Sequence, residues 1–213
     1  MQSDYTHISV ILDRSGSMEA IRDDIIGGFN AYIARQQAQP GQATLTLVQF
    51  DHQDPYEVVH QFRALASVPR LDCETFVPRG RTPLLDAMGR GINDIDVQIR
   101  KLAEAARPEK VMVVIITDGQ ENARSEFSKA QVEKLIKEKQ DGLGWQFLFL
   151  SADMNSIGMA RGMGIRVADS TSFGLSSDEI FSSFDYVSLR SSDFRSSPRK
   201  PAPDPTPPDD SPA

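Results

Sequence analysis

The stretch that decides the fold of this chain is Ile8-Ser9-Val10-Ile11-Leu12-Asp13-Arg14-Ser15-Gly16-Ser17. Its first half is a nearly continuous apolar run, which is typical of a strand buried on both faces of a sheet. Its second half alternates one acid with two hydroxyl side chains as the chain leaves that strand. Carboxylate and hydroxyl oxygens are the kind of ligand that a small hard cation prefers. The stretch therefore predicts a central strand whose carboxyl end carries half of a metal site.

Two later segments place oxygen-bearing side chains at similar boundaries. Thr82 comes directly before Pro83, which is well suited to the first position of a helix. Residues 111–117 predict a second buried strand, and this strand ends at Asp118 and Gly119. Open α/β sheets bind ligands beyond the carboxyl ends of their strands, where the winding direction reverses. We therefore expect the three segments to meet there.

The apolar pattern alternates between strands and helices along the chain. The connection at residues 51–55 is five residues long and polar, so it cannot hold a crossover helix, and the strands on either side should form an antiparallel hairpin. The sequence thus predicts an α/β domain: a doubly wound, mostly parallel six-stranded sheet with one antiparallel edge strand and helices on both faces. The predicted strands cover residues 7–13, 43–50, 56–62, 110–118, 145–150 and 165–168, and the predicted helices start near residues 17, 83, 128, 155 and 176.

Composition limits the remaining possibilities. Of the 213 residues, 39% are hydrophobic and 25% are charged, which suits one domain, expected over residues 1–190. Residues 191–213 hold seven of the 13 prolines and predict a disordered tail. A net charge of −7 argues against nucleic acid as a partner. The chain shows no membrane-spanning run, no signal peptide and a single cysteine, so we expect a cytoplasmic protein.

The order of the three motifs resembles the von Willebrand factor type A family, over roughly residues 5–190. D-x-S-x-S, an isolated Thr before Pro, and T-D-G after an apolar strand are that family's motifs, and this chain is most similar to its intracellular bacterial members. The resemblance implies a Rossmann-like fold with a metal-ion-dependent adhesion site (MIDAS) that holds Mg²⁺, or else Mn²⁺ or Ca²⁺. Matched by position, the metal residues are Asp13, Ser15, Ser17, Thr82 and Asp118.

The resemblance also implies a function. It predicts a non-enzymatic, metal-dependent protein-binding module that captures an acidic side chain of a protein partner. One alternative is a metal-dependent hydrolase or phosphatase, but an aspartyl phosphatase needs a second acid where this chain has Ser15. Another alternative is a metal-free scaffold that presents its proline-rich tail to a partner.

Four arginines lie in or beside the motif loops. If they are free, they form a basic rim that steers an acidic partner toward the metal. They are Arg14, Arg79, Arg81 and Arg124. Glu121, which follows the T-D-G turn, is expected to be a solvated loop acid.

Overall fold

The apolar run around Ile11 forms the central strand of a six-stranded sheet. The structure is a computed structural model that describes residues 2–123 and 125–198. The strands lie in the order β3-β2-β1-β4-β5-β6. Among the strands of these described residues, β2 and β3 pair antiparallel and the other pairs are parallel. The strands are β1 Gln2–Asp13, β2 Gln42–Phe50, β3 Glu57–Ala64, β4 Pro108–Thr117, β5 Gln146–Ser151 and β6 Ser170–Ser172.

The described part of the chain has five α-helices around the sheet, and a 3₁₀ turn at Gly16–Ile21 leads into the first of them. Ser128 begins α3, near the predicted helix start, with a capping box in which the side chains of Ser128 and Gln131 each bond the other's main chain. The predicted doubly wound α/β fold is confirmed. The helices are α1 Arg22–Gln37, α2 Leu84–Lys101, α3 Lys129–Lys137, α4 Met154–Gly162 and α5 Ser177–Ser196.

Each face of the sheet carries its own hydrophobic core. Val114 of β4 belongs to the core beneath α1 and α5, whereas its neighbour Val113 belongs to the core beneath α2, α3 and α4. A strand covered on both faces must be apolar at every position, which explains the continuous apolar runs of β1 and β4. Helices α1 and α5 approach closely because Gly28 leaves room for Phe184: a Cβ atom at residue 28 would lie 2.1 Å from that ring.

One predicted strand is misplaced. Residues 165–168 do not form β6, which begins at Ser170 instead. Ile165 is buried and its N–H bonds the main chain of Ala160, so it ends the turn after α4. Asp169 is buried directly before the strand and accepts hydrogen bonds from Arg166 and Gln146. These hydrogen bonds hold Asp169 in place, and β6 begins at the next residue.

Helix α5 continues past residue 190, where the tail was expected to begin. The main-chain oxygen of Ser197 accepts a hydrogen bond from Lys110 Nζ at 2.7 Å. Arg195 is 5% exposed and donates to the main-chain oxygens of Gln36 and Pro40, at 2.6 and 3.1 Å. The end of α5 is thereby bound to β4 and to the end of α1. The proline-rich residues 199–213 lie outside the described part of the chain. Within the described part, no helix is both long and apolar enough to cross a bilayer.

Candidate metal site

The motif loops leave the sheet at one edge. Asp13, the last residue of β1, pairs with Phe50 at the end of β2, and Leu12 pairs with Ile116 near the end of β4. The chain winds outward from β1 to β2 and later returns to β4 on the other side of β1. The reversal of winding lies between β1 and β4, where open α/β sheets form their ligand-binding crevice. Asp13 and Asp118 therefore lie at this crevice.

Asp13 is held rigidly by the strand ends. It is fully buried, and its Oδ1 accepts the N–H of Ser15 at 2.7 Å. Its Oδ2 accepts the hydroxyl of Thr117 at 2.6 Å. The first contact is an Asx turn, in which an Asp side chain bonds the main chain two residues on. The turn fixes the path of the loop that carries both serines.

The hydroxyls and Asp118 form a connected group. Ser15 Oγ and Ser17 Oγ are 3.2 Å apart, and Ser17 Oγ donates to Asp118 Oδ1 at 2.9 Å. Thr82, on the second motif loop, lies beside this group: a Cβ atom on Gly119 would lie 4.0 Å from both Ser17 Oγ and Thr82 Oγ1. The structure thus links Asp13, Ser15, Ser17 and Asp118 by hydrogen bonds and places the Thr82 and Ser17 hydroxyls both beside Gly119.

The segment after Asp118 holds the Thr82 loop in place. Asn122 Oδ1 accepts the N–H of Thr82 at 2.7 Å, and its own N–H donates to the Thr82 carbonyl at 3.2 Å. Glu121 is half-buried and accepts the N–H of Leu85 at 2.8 Å. That N–H lies in the first turn of α2, where main-chain donors lack helical partners. Glu121 is therefore bound to the helix start and is not the solvated acid that we expected.

The site carries uncompensated negative charge. Burial raises the pKa of Asp13 to about 7; the charge of Asp118 adds to this, while hydrogen bonds from Thr117 and Ser15 oppose it. Burial also raises the pKa of Asp118, against the hydrogen bond from Ser17. Two neighbouring carboxylates with raised pKa values mark a place where a cation would stabilise the ionised forms.

The donor set fits a hard divalent ion. Three hydroxyls and two carboxylates supply only oxygen, which Mg²⁺, Mn²⁺ and Ca²⁺ prefer. In residues 2–123 and 125–198, no group of three or more His, Cys, Asp and Glu side chains is arranged to hold a metal. The cluster at the crevice would hold an ion chiefly through hydroxyl oxygens, with two carboxylates beside them.

Two of the four arginines do not form a basic rim. The side chains of Arg14 and Arg79 both donate to Asp51 Oδ2, each through Nε at 2.9 Å. Arg81 is exposed and makes no ion pair within the described chain. Arg124 lies outside the described residues. The rim is thus reduced to Arg81 in the part of the chain that the structure covers.

Comparison with solved structures identifies the fold. The chain is similar to proximal thread matrix protein 1 of the mussel byssus, in a structure with a zinc-occupied MIDAS motif (TM-score 0.59, 16% identity, 87% of this chain and 46% of that one). It is similar to a von Willebrand factor type A protein of Catenulispora acidiphila (TM-score 0.57, 14% identity, 88% of this chain and 42% of that one). It is also similar to the manganese-loaded TRAP protein of Plasmodium vivax (TM-score 0.53, 16% identity, 85% of this chain and 72% of that one).

The protein therefore has the von Willebrand factor type A fold. At these identities the likeness concerns the fold, and the chain spans less than half of the mussel and Catenulispora proteins. No protein-family model matches the sequence, and no curated protein matches it either.

Proposed function

We propose that the protein is a non-enzymatic binding module that uses a divalent metal to capture an acidic side chain of a protein partner. The observation that carries this proposal is the meeting of three hydroxyls and two uncompensated carboxylates at the crevice of the sheet. Ser15, Ser17 and Thr82 would bind the ion, with Asp13 and Asp118 acting directly or through water. The ion would supply positive charge that a carboxylate from outside can approach.

The exposure of the five residues favours a ligand that comes from solution. Asp13, Ser15 and Thr82 are almost fully buried, whereas Ser17 is exposed and Asp118 is partly exposed. The site is thus closed toward the sheet and open on the side of Ser17 and Asp118. Mg²⁺ gives up its water reluctantly and keeps some in protein sites. A water on the open side is the one that a partner's carboxylate would replace.

The solved neighbours support a divalent metal at a site of this kind. One contains zinc in its MIDAS motif and another is loaded with manganese. A further neighbour, SpaC of Lactobacillus rhamnosus, is a pilus adhesin (TM-score 0.65, 13% identity, 89% of this chain and 31% of that one). For this chain we propose Mg²⁺, or else Mn²⁺ or Ca²⁺, because all five donors are oxygen.

The geometry does not favour the phosphatase alternative. A nucleophilic carboxylate needs a free oxygen that faces its substrate. Asp13 is fully buried, and its two oxygens accept hydrogen bonds from Ser15 and Thr117. It is held as a structural or metal-binding group.

The proposal is tested with fluorescent peptides that each contain one Asp or Glu. Their binding is measured by polarisation in Mg²⁺, in Mn²⁺ and in chelator, beside peptides in which Asn or Gln replaces the acid. We expect binding only with metal and only with the acid. Asp118→Asn should abolish it, whereas Asp153→Asn should not: Asp153 caps α4 at the same edge, outside the five residues. Equal binding in chelator, or equal loss in both variants, would contradict the proposal.

Arg81 gives the proposal a second, separate test. Its exposed charge lies beside Thr82 and should speed the approach of an acidic partner, an effect that salt screens. Arg81→Ala should lower the association rate several-fold at low salt and little at high salt. Lys101→Ala removes the same charge at the far end of α2 and should change neither rate. Identical low-salt rates for wild type and Arg81→Ala would exclude steering by this residue.

A further inference from the structure

Asp51, the first residue after β2, is a buried carboxylate that accepts hydrogen bonds from residues of three loops. It is fully buried, yet it accepts four hydrogen bonds. Oδ2 accepts Nε of Arg14 and Nε of Arg79, each at 2.9 Å. Oδ1 accepts the N–H groups of Gln53 and Asp54, at 2.7 and 3.2 Å. Asp51 belongs to none of the three motifs.

The two arginines connect Asp51 to the loops of the metal site. Arg14 lies between Asp13 and Ser15 in the sequence, and Arg79 lies three residues before Thr82. Their side chains meet at one oxygen of Asp51, in the connection between β2 and β3. This single carboxylate therefore fixes the spacing between the first and the second motif loops.

Main-chain hydrogen bonds join the same loops. Arg79 N–H donates to the Arg14 carbonyl at 2.8 Å, and Gly16 N–H donates to the Gly80 carbonyl at 3.0 Å. His52 lies against this contact: a Cβ atom on Gly80, whose φ is +72°, would be 1.9 Å from the His52 ring. The loops are therefore in direct contact, and the position of one sets that of the other.

The charges in this cluster balance. The guanidinium of Arg14 is nearly buried and contacts Asp51 and Glu57, while Arg79 contacts Asp51. Burial pushes the pKa of Asp51 upward, but hydrogen bonds from Arg79, Gln53 and Asp54 and the charge of Arg14 outweigh it, so the pKa lies below its ordinary value. Asp51 is thus a compensated carboxylate, in contrast to Asp13, and is not itself a free ligand.

We propose that Asp51 is a positioning residue for the metal site, which acts through Arg14 and Arg79 to hold the serine loop and the Thr82 loop at the spacing that one ion requires. This inference rests on the proposed function, because it assumes that the two loops share a metal. Residues that orient metal ligands typically change metal affinity about 10–100-fold when replaced. Removing the charge of Asp51 should do the same without touching any of the five ligands.

The test compares Asp51→Asn with wild type by isothermal titration of Mn²⁺, at a temperature where circular dichroism shows both to be folded. We expect affinity about 10-fold lower or weaker still in the variant. Arg79→Ala, at a partly exposed side chain, breaks the same link with less disturbance and should lower affinity in the same direction. The matched control is Asp169→Asn. Asp169 is a buried carboxylate held by Arg166 and Arg190 beside Gln146, at the amino end of β5, away from the site. The Asp169→Asn protein should be less stable than wild type but bind Mn²⁺ with wild-type affinity.

A second readout needs no metal. Amide hydrogen exchange in chelator should be faster at Gly16 and Arg79 in Asp51→Asn, since their N–H groups bridge the two loops, and unchanged there in Asp169→Asn. Wild-type Mn²⁺ affinity in a folded Asp51→Asn protein would overturn the inference while leaving the proposed function intact. Failure of wild type itself to bind Mn²⁺ would overturn the proposed function and this inference with it. In that case, faster exchange would still show the link between the loops.

Discussion

Asp13→Asn should make the metal-free protein more stable while it removes the response to metal. Asp13 is fully buried, and its raised pKa shows that the site opposes its ionisation. Asparagine has almost the same shape without the charge. It can still accept the Ser15 N–H, but its NH₂ group must replace the oxygen that accepts the Thr117 hydroxyl. The variant therefore loses a charge that only a bound cation would favour.

The magnitude follows from the pKa. Its rise from 3.8 to about 7 is worth about 4 kcal/mol at about 1.4 kcal/mol per unit. Because the folded pKa is the higher one, the unfolded chain releases its proton first. Stability falls as pH rises through this window, and the full cost is present above pH 7. Allowing for the altered Thr117 contact, we expect a net gain of about 1–3 kcal/mol at pH 8.

The assay is urea unfolding at pH 8 and pH 5, in chelator and in Mn²⁺. In chelator, the free energy of unfolding of Asp13→Asn should be higher than that of wild type at pH 8, and the difference should be smaller at pH 5. In Mn²⁺ at 100 times its Kd, wild type should gain about 2.7 kcal/mol and the variant almost nothing. Asp169→Asn, which breaks ion pairs with Arg166 and Arg190, should instead lose stability in both solutions. A variant at Asp13 that is less stable than wild type in chelator, yet equally stabilised by Mn²⁺, would refute this reasoning.

Three further predictions concern the fold. Burial lowers the pKa of His7 to about 3, so below pH 6.5 the unfolded chain binds a proton that the folded chain does not, and stability falls. In urea unfolding, His7→Phe should remove about 2 kcal/mol of the stability that wild type loses at pH 5. An unchanged loss of stability in acid would contradict this. Gly28→Ala should lower stability by about 1–3 kcal/mol, because its Cβ would lie 2.1 Å from the ring of Phe184 in α5. Gly158→Ala, with no atom within 4 Å of its Cβ, should raise stability by up to about 1 kcal/mol in thermal unfolding. Melting temperatures that shift in the same direction in both variants would show the contact between α1 and α5 to be unimportant. A chain that ends at residue 190 should melt several degrees below one that ends at residue 198, because it lacks the buried end of α5; equal melting temperatures would place the domain boundary at 190.

Much of the fold was predictable because its strongest signals are local. The apolar runs near Ile11 and Val114 indicate strands covered on both faces, and the short polar connection after Phe50 indicates a hairpin. The end of α5 was missed because Ser191 and Arg195 are polar, and only tertiary contacts bury them. Strand β6 was misplaced because it has three polar residues at the sheet edge, too few to show a periodicity.

The candidate site was predictable where a motif coincides with a strand end, as at Asp13 and Asp118. The residues that hold these loops were missed. Arg14 and Asp51 are 37 positions apart, and Asn122 and Thr82 are 40 apart, so neither pair leaves a local pattern. One signal was available: Thr117 is a polar residue at the end of an apolar strand, where a hydroxyl is unexpected unless it has a partner.

The most direct test of the central claim is an anomalous difference map from crystals grown with Mn²⁺. The account predicts one peak among the five side chains, at coordination distance of about 2 Å from the hydroxyl oxygens of Ser15, Ser17 and Thr82, with an open position toward solvent. A well-ordered crevice with no peak between those hydroxyls, at Mn²⁺ concentrations that load other sites, would contradict it.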